Sequence, residues 1–600
     1  MDDEADSEVR ARRKALDAKY RAERDRRVRA DGAAQYLRPS GAYARYLDDP
    51  YVEPGFTRAP VHDDVDAVIV GAGLGGLLAA ARLRQAGVKD IRIIEKAGDV
   101  GGTWYWNRYP GCACDVESYI YMPLLEELAY TPTRKYAPAP EIAAHCKAIA
   151  RHFDLYDLAL FQTEVTDVTW REDTARWTIR TDRDDAFTAK YVVVVSSRLH
   201  RPQLPGAPGI ETFRGRSFHT SRWDYAYTGG DHTGGLTGLT DKRVGIVGTG
   251  ATAVQAVPHL GAWAKELYVF QRTPAPVDVR NDRPTDMDWA RSLPSGWQKD
   301  RMANFNLVTT GQKVDADLID DGWTDLVVNV RLAAQRRIEA GEMIDDPAAI
   351  VQLADDARME RMRERIDRVV QDRATAEALK PWYAQACKRP CFHDEYFPTF
   401  NRPNVTLVDT RGKGLQRVTE TGVIAGDREY PLDCLIFATG FTYNDDYTDI
   451  IGFDITGRGG LRLSEKWKDG AATLHGLTSR GFPNCFIVSA TQAGHAVNFQ
   501  YTLDLSSTHI AYIVSQAEAR QARTLEPTAE AEAAWVDVVV AETELRSAVL
   551  AECTPGYLNN EGKVDMRARR NSQYFKGPVA FQKVLEDWRA EGTMPGMELG

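Results

Sequence analysis

Apolar runs and polar stretches alternate along the chain in a pattern that predicts a series of strands and helices. DAVIVGAGLGGLLAAARLRQAGVKDIRIIEK (66–96) reads as an apolar strand, a glycine turn, a helix and a second apolar strand. KRVGIVGTGATAVQAVPHLGAWAKELYVFQR (242–272) repeats that plan. Short apolar runs at YVVVVSS (191–197), NVTLVD (404–409), CLIFATG (434–440) and NCFIVSA (484–490) predict further strands. Residues 285–385 are charged and rich in Arg, Asp and Met, which predicts an inserted helical subdomain. Residues 1–32 alternate acid and base, with Val9, Leu16, Tyr20 and Val28 on one narrow stripe. That pattern predicts a helix draped over the main body, with a protein-interaction arm as the alternative.

Strands alternating with helices indicate a doubly wound α/β fold. The expected architecture is two Rossmann-like dinucleotide-binding domains with a helical insertion and an N-terminal helical extension. The boundaries drawn are an extension at 1–60, a first dinucleotide domain at 61–205 and 425–600, and a second at 206–424.

Composition narrows the class. With 600 residues, 43% hydrophobic and 27% charged, the chain suits a soluble multidomain protein. No apolar run approaches the ~20 residues that span a bilayer, and the charged N-terminus is not a secretory signal. A net charge of −11 argues against nucleic acid as a partner. The eight Cys form no CxxC pair and no Cys/His metal cluster, so they read as free thiols in a reducing cytosol, with no metal. Cys112 and Cys114, one residue apart, bridge poorly and read as packing thiols.

The first glycine turn is Gly71-Ala-Gly73-Leu-Gly-Gly76. Gly71 permits the tight turn, Gly73 lets a pyrophosphate approach the backbone, and Gly76 lets helix and strand pack closely. The helix that follows offers free N–H groups to phosphate. Glu95, at the end of the next strand, can accept hydrogen bonds from ribose hydroxyls and would repel a 2′-phosphate, so this site fits FAD or NAD. The second turn is Gly248-Thr249-Gly250-Ala-Thr252-Ala253. The position 24 residues beyond Gly71 holds Glu95; the same step beyond Gly248 reaches Arg272. Arg grips phosphate bidentately and Thr273 adds a hydroxyl, which predicts NADP at the second site. Two such sites in one chain point to a flavin reduced by a nicotinamide. A disulfide reductase would also need a redox Cys pair near the flavin, and the sequence offers none.

FRGRSFHTSRWD (213–224) joins the two units. Phe213, Gly215, His219, Trp223 and Asp224 match the linker signature of the Baeyer–Villiger monooxygenases, Phe-x-Gly-x3-His-x3-Trp followed by Pro or Asp. Gly102, Trp104, Tyr109, Pro110, Gly111 and Asp115 match the same family's longer signature. The chain therefore resembles that family over about residues 40–590.

The resemblance implies an FAD-containing, NADPH-dependent enzyme. It would insert one oxygen of O2 next to a ketone carbonyl, through a C4a-peroxyflavin, to give an ester or lactone. It places the family's peroxide-stabilising Arg at Arg389, with Lys388 beside it on the NADP 2′-phosphate and Asp115 orienting Arg389. Asp115, Arg389, Thr103, Trp104 and Tyr121 are placed at the cofactors. His219 and Trp223 are assigned to an interdomain hinge rather than to acid–base chemistry. Four departures stand out. The loop TQAGHAVNFQY lacks a Trp that many relatives carry near NADP, a role that Asn498, Phe499 and Tyr501 are candidates to share. Ser196-Ser197-Arg198 replaces a Ser-Gly. With the N-terminal extension and the insert at 229–238, these features resemble the subgroup that accepts bulky ketones. The competing activity is oxidation of nitrogen or sulfur, which needs no anion-stabilising Arg. The implied partners are a small ketone and O2 in the cytoplasm, with neither nucleic acid nor membrane; a homo-oligomer is compatible with the sequence.

Overall fold

The computed structural model describes residues 2–195, 197–339, 347–443 and 446–600. Ser196 and the side chain of Val9, both singled out above, lie outside that description.

Two parallel-centred sheets carry the fold. In the first, His62–Val70 lies between Ala186–Val195 and Ile91–Ile94 and runs parallel to both. Cys485–Val488 also pairs parallel with Ala186–Val195, and Val165–Arg171 and Arg176–Thr181 extend the sheet antiparallel. The second sheet has the order Val405–Asp409, Glu266–Gln271, Arg243–Val247, Cys434–Phe437, Arg216–His219, with every neighbour parallel. Helices cover both faces of such strands, so their sequences are continuously apolar: Ala67, Val68 and Ile69, and Cys434 to Phe437, have no exposed surface.

The linker is itself the edge strand of the second sheet. Arg216–His219 pairs with Cys434–Phe437, and a Cβ on Gly215 would lie 2.6 Å from Asp433 O. Because Cys434–Phe437 sits beside Arg243–Val247, the chain leaves the second unit after that strand, later than the 424/425 boundary drawn from sequence. A three-stranded meander spanning Arg417–Pro431 precedes it.

The helical insert leaves and returns through neighbouring strands, since Val277–Asp278 pairs parallel with Cys391–Phe392. Between them lie Met287–Ser292, Trp297–Thr309, Gly322–Glu339, Pro347–Val369 and Arg373–Leu379.

The N-terminal helix, Asp2–Asp25, does drape over the body. Its fastening is more polar than the expected stripe. Leu16 and Tyr20 are half-buried, but Val28 lies beyond the helix and is 53% exposed. Glu23 and Arg27 are buried instead, paired at 2.6 Å. Arg13 pairs with Asp356, and Lys19 stands over the Trp382 ring.

The free-thiol reading is corrected at two of the eight cysteines. Cys387 and Cys553, 166 residues apart, form a disulfide; the other six are free and buried. No spacing rule could link the pair, because tertiary folding brings them together. Among the described residues no helix is long and apolar enough to cross a membrane. A thiol titration in denaturant is expected to count six thiols before reduction and eight after. Eight thiols in the unreduced protein would contradict the cross-link.

Candidate active site

One cavity of about 1600 Å³ runs between the two sheets. Its wall includes Gly71, Gly73, Glu95, Thr103, Trp104, Asp115 and Tyr121 from the first unit. From the second it includes Gly248, Thr249, Gly250, Thr252, Arg272, Thr273, Lys388 and Arg389. Of the site residues expected from sequence, Gly76 and Ala253 lie off the wall and act in packing. A Cβ on Gly76 would come within 1.9 Å of Gly71 O, so only Gly lets the helix sit this close to its turn. The place a Cβ would take at Gly250 has no neighbour within 4 Å, so the backbone there faces open space that a phosphate could approach.

Glu95 is buried and already braced. Its Oε2 accepts from Ala72 N at 2.7 Å and its Oε1 from Ala97 N at 2.8 Å. Burial raises its pKa and these two N–H donors work against the rise. Each carboxylate oxygen keeps a lone pair for a ribose hydroxyl. Arg272 differs from the sequence picture, because the protein already supplies it with partners. It bonds Gln35, pairs with Glu561 at 3.3 Å and stands over the Tyr36 ring. The N-terminal extension and the loop around Glu561 thus fold over the second glycine turn. Lys388 donates to Pro555 O at 2.5 Å, and burial, with Arg272 close by, pushes its ammonium down to about 7.

Arg389 and Asp115 form a two-pronged ion pair: Nη1 donates to Oδ2 at 2.7 Å and Nη2 to Oδ1 at 2.8 Å. Trp323 of the insert stands under the guanidinium and donates Nε1–H to Asp115 O at 2.8 Å. Asp115 is 8% exposed, whereas 38% of the Arg389 side chain stays open to the cavity. Burial opposes the charge on Arg389, but Asp115 outweighs it and raises the pKa further. The site therefore offers a permanent, oriented cation with donors to spare.

A second chain of polar groups crosses the first unit. Trp104 Nε1 donates to Tyr121 OH at 3.0 Å, and Gln500 Nε2 donates to the same oxygen at 3.1 Å. Gln500 Oε1, Thr273 Oγ1 and the Gln385 amide lie on the cavity wall, buried and without hydrogen-bond partners among the described residues. Buried polar groups rarely stay unpaired, so these atoms fit a polar ligand lying along the wall.

The linker His has a structural role. His219 is fully buried, and its Nδ1 accepts from Ser221 N at 3.2 Å. Burial and Arg222 hold its pKa down at about 3, so it stays neutral. Trp223 donates Nε1–H to Thr228 Oγ1 at 3.1 Å, and Arg222 stacks on Trp106 of the first unit.

Of the three candidates for the missing Trp, only Phe499 lines the cavity. Asn498 bonds Ile120 O, and Tyr501 bonds Gln582. The aromatic residues near Arg389 that sequence reasoning missed include Trp323 and Tyr557, the latter edge to face with Tyr443 at 4.8 Å. Tyr557 belongs to a turn, Tyr557–Gly562, whose Asn560 and Glu561 have positive φ. An Asn-Asn-Glu-Gly run was the available signal for that turn.

The model of the NAD(P)-binding Rossmann-like domain matches residues 69–129. The chain is 54% identical over 591 residues to neopentalenolactone D synthase of Streptomyces avermitilis, covering 98% of this chain and 99% of that one. It is 48% identical to a Baeyer–Villiger monooxygenase of Streptomyces coelicolor, over 96% and 95% of the two chains. Its fold matches the polycyclic ketone monooxygenase of Thermothelomyces thermophila with a TM-score of 0.90 at 38% identity, over 98% and 99% of the two chains.

The two glycines behave differently in this geometry. Gly76→Ala is expected to cost about 3 kcal/mol of stability in chemical denaturation, because backbone must move. Gly250→Ala should leave stability within about 0.5 kcal/mol. Equal losses would mean that Gly250 is packed and not open.

Proposed function

The chain belongs to the Baeyer–Villiger monooxygenases, and from that premise we propose that its Arg389–Asp115 pair is the charge centre at which a bulky cyclic ketone is oxygenated to a lactone. The observation that carries the reading is the two-pronged pair itself, facing a cavity walled by both glycine turns. FAD and NADPH are the cofactors of the reaction; they supply the reducing equivalents and activate the O2-derived oxygen that enters the product.

The protein's own residues bind, orient and stabilise charge. Gly73 and the helix behind it receive the FAD pyrophosphate, Glu95 takes the ribose hydroxyls, and Thr103, Trp104 and Tyr121 flank the flavin. Gly248, Thr249, Gly250 and Thr252 form the NADP turn, with Ala253 packing the helix behind it. Arg272, Thr273 and Lys388 would hold the 2′-phosphate, with Glu561 and Gln35 bracing the Arg272 side chain. Asp115 fixes the guanidinium plane, so the N–H groups of Arg389 that point into the cavity meet negative charge as it develops on oxygen. A preset donor of this kind needs no reorganisation during the reaction. The bulky-ketone reading draws support from the wall that the helical insert contributes through Trp323, Leu326 and Val327.

The first test is incubation of the holoenzyme with NADPH, air and a large cyclic ketone, with the product compared by mass and retention to the authentic lactone. NADPH consumption that releases only hydrogen peroxide from every ketone would point to nitrogen or sulfur oxidation. Arg389→Ala is expected to lower lactone formation by about 10²–10³ while FAD content is kept; unchanged turnover would remove Arg389 from the mechanism.

Lys388 makes NADP affinity pH-dependent. Its ammonium must be charged to hold the phosphate, and in the free protein it loses its proton near pH 7. Above that pH, binding requires proton uptake, so the affinity should fall by up to about tenfold per pH unit. Calorimetric titration of NADP+ from pH 6 to 9 should show that slope, and Lys388→Arg should flatten it. A flat profile in the unaltered enzyme would exclude Lys388 from the phosphate site.

A further inference from the structure

The wall on Arg389's side of the cavity carries one more cation. Arg546 stands on the helix Glu544–Ala551 and lines the cavity. On that helix Leu545 and Val549 face solvent, at 76% and 42% exposure, while Leu550, one turn on from Arg546, is buried. The guanidinium lies 4.4 Å from the centre of the Phe575 ring.

Four other cations of the cavity wall have oxygen partners. Arg389 has Asp115, Arg272 has Glu561, Lys388 has Pro555 O and Arg198 has Thr491 Oγ1. Arg546 has no carboxylate and no hydrogen-bond acceptor among the described residues, and Tyr443 is the titratable neighbour that most affects it. Nearby His495, bonded to Gln573 at 2.8 Å, is held down at about 4 by burial and adds no second charge at neutral pH. Taking a guanidinium partly out of water without an anion is costly. On the wall of a ligand cavity, such a group is complementary to an anion brought by the ligand.

The position indicates which ligand. Arg389 and Tyr557 both line the cavity within electrostatic reach of each other, Tyr557 meets Tyr443 edge to face at 4.8 Å, and Tyr443 lines the cavity beside Arg546. Phosphate is provided for elsewhere, by the two glycine turns and by Arg272 with Lys388. A ketone whose carbonyl meets Arg389 would extend its far end along the tyrosines toward Arg546.

We propose that Arg546 is a specificity-determining residue that binds a carboxylate carried by the ketone, at the end of the molecule remote from the reacting carbonyl. The proposal rests on the ketone-oxygenating reading above. A keto acid is then preferred to its neutral ester, because only the acid gives the guanidinium two oxygens in its own plane.

The test uses the FAD holoenzyme with two probe pairs of different length, an oxoadamantane carboxylic acid and an oxocholanic acid, each beside its methyl ester. Lactone formation gives kcat/KM for every probe, and calorimetry on the NADP+-loaded oxidised enzyme gives its Kd. For at least one pair the unaltered enzyme should prefer acid over ester by roughly tenfold or more, mainly in KM and Kd. Arg546→Gln should bring that ratio close to one while ester turnover, FAD content and Tm stay unchanged. Arg546→Lys should retain part of the preference.

A ratio near one for both pairs in the unaltered enzyme, or a preference that survives Arg546→Gln, overturns the proposal. So does a rise in the KM for NADPH with the acid-to-ester ratio intact, which would assign the guanidinium to the dinucleotide. If no ketone yields lactone, the oxygenation reading fails, and the calorimetric acid-to-ester ratio still decides the role of Arg546.

Discussion

The contact between Arg389 and Asp115 joins residues 274 positions apart in sequence, and much of the architecture converges on it. Asp115 comes from the loop that follows the first glycine turn. Arg389 comes from the return of the helical insert, and Trp323 within the insert holds both. A carboxylate this buried is tolerable only with its oxygens satisfied, and the guanidinium fork does that in one plane. The paired guanidinium still leaves 38% of the Arg389 side chain exposed on the cavity wall.

Around this centre the chain uses charge where a simpler design would use apolar surface. The N-terminal helix docks through Arg13–Asp356 and through Lys19 over the Trp382 ring, beside the half-buried Leu16 and Tyr20. Arg27 reaches on to the carbonyl of Arg272, and Gln35, Tyr36 and Glu561 surround the Arg272 side chain. Three segments far apart in sequence thus meet at one cation. The Cys387–Cys553 bond ties the Arg389 segment to the loop that supplies Tyr557 and Glu561.

Legibility in the sequence followed the range of the constraint. The glycine turns were legible because their requirement is local: a Cβ at Gly76 has nowhere to go, and that is true of any chain making this turn. The contrast between Glu95 and Arg272 was legible because both stand at one register of the same supersecondary unit. The linker motif was legible as a signature, and the structure explains it as an edge strand with a neutral, buried His219. Arg389 could be singled out only through family resemblance, since a Lys-Arg pair has no intrinsic reason to face a cavity. The disulfide, Tyr557, Glu561 and Arg546 escaped notice because their meaning depends on distant partners. Asn498, Phe499 and Tyr501 could not be told apart from sequence for the same reason: Tyr501 bonds Gln582 and Asn498 bonds Ile120 O, while Phe499 lines the cavity.

The insert's exit and re-entry through paired neighbours, Val277–Asp278 and Cys391–Phe392, makes it a cassette. Its two ends are clamped to adjacent backbone, so exchange of the helices between them need not disturb the strand order of the second sheet. The wall residues Trp323, Leu326 and Val327 travel with that cassette, while both glycine turns stay with the frame and Arg389 stands just inside the cassette's return. Substrate scope and redox machinery are therefore separable inheritances in this chain. A lineage could change what enters the cavity by altering the cassette, without refounding the chemistry.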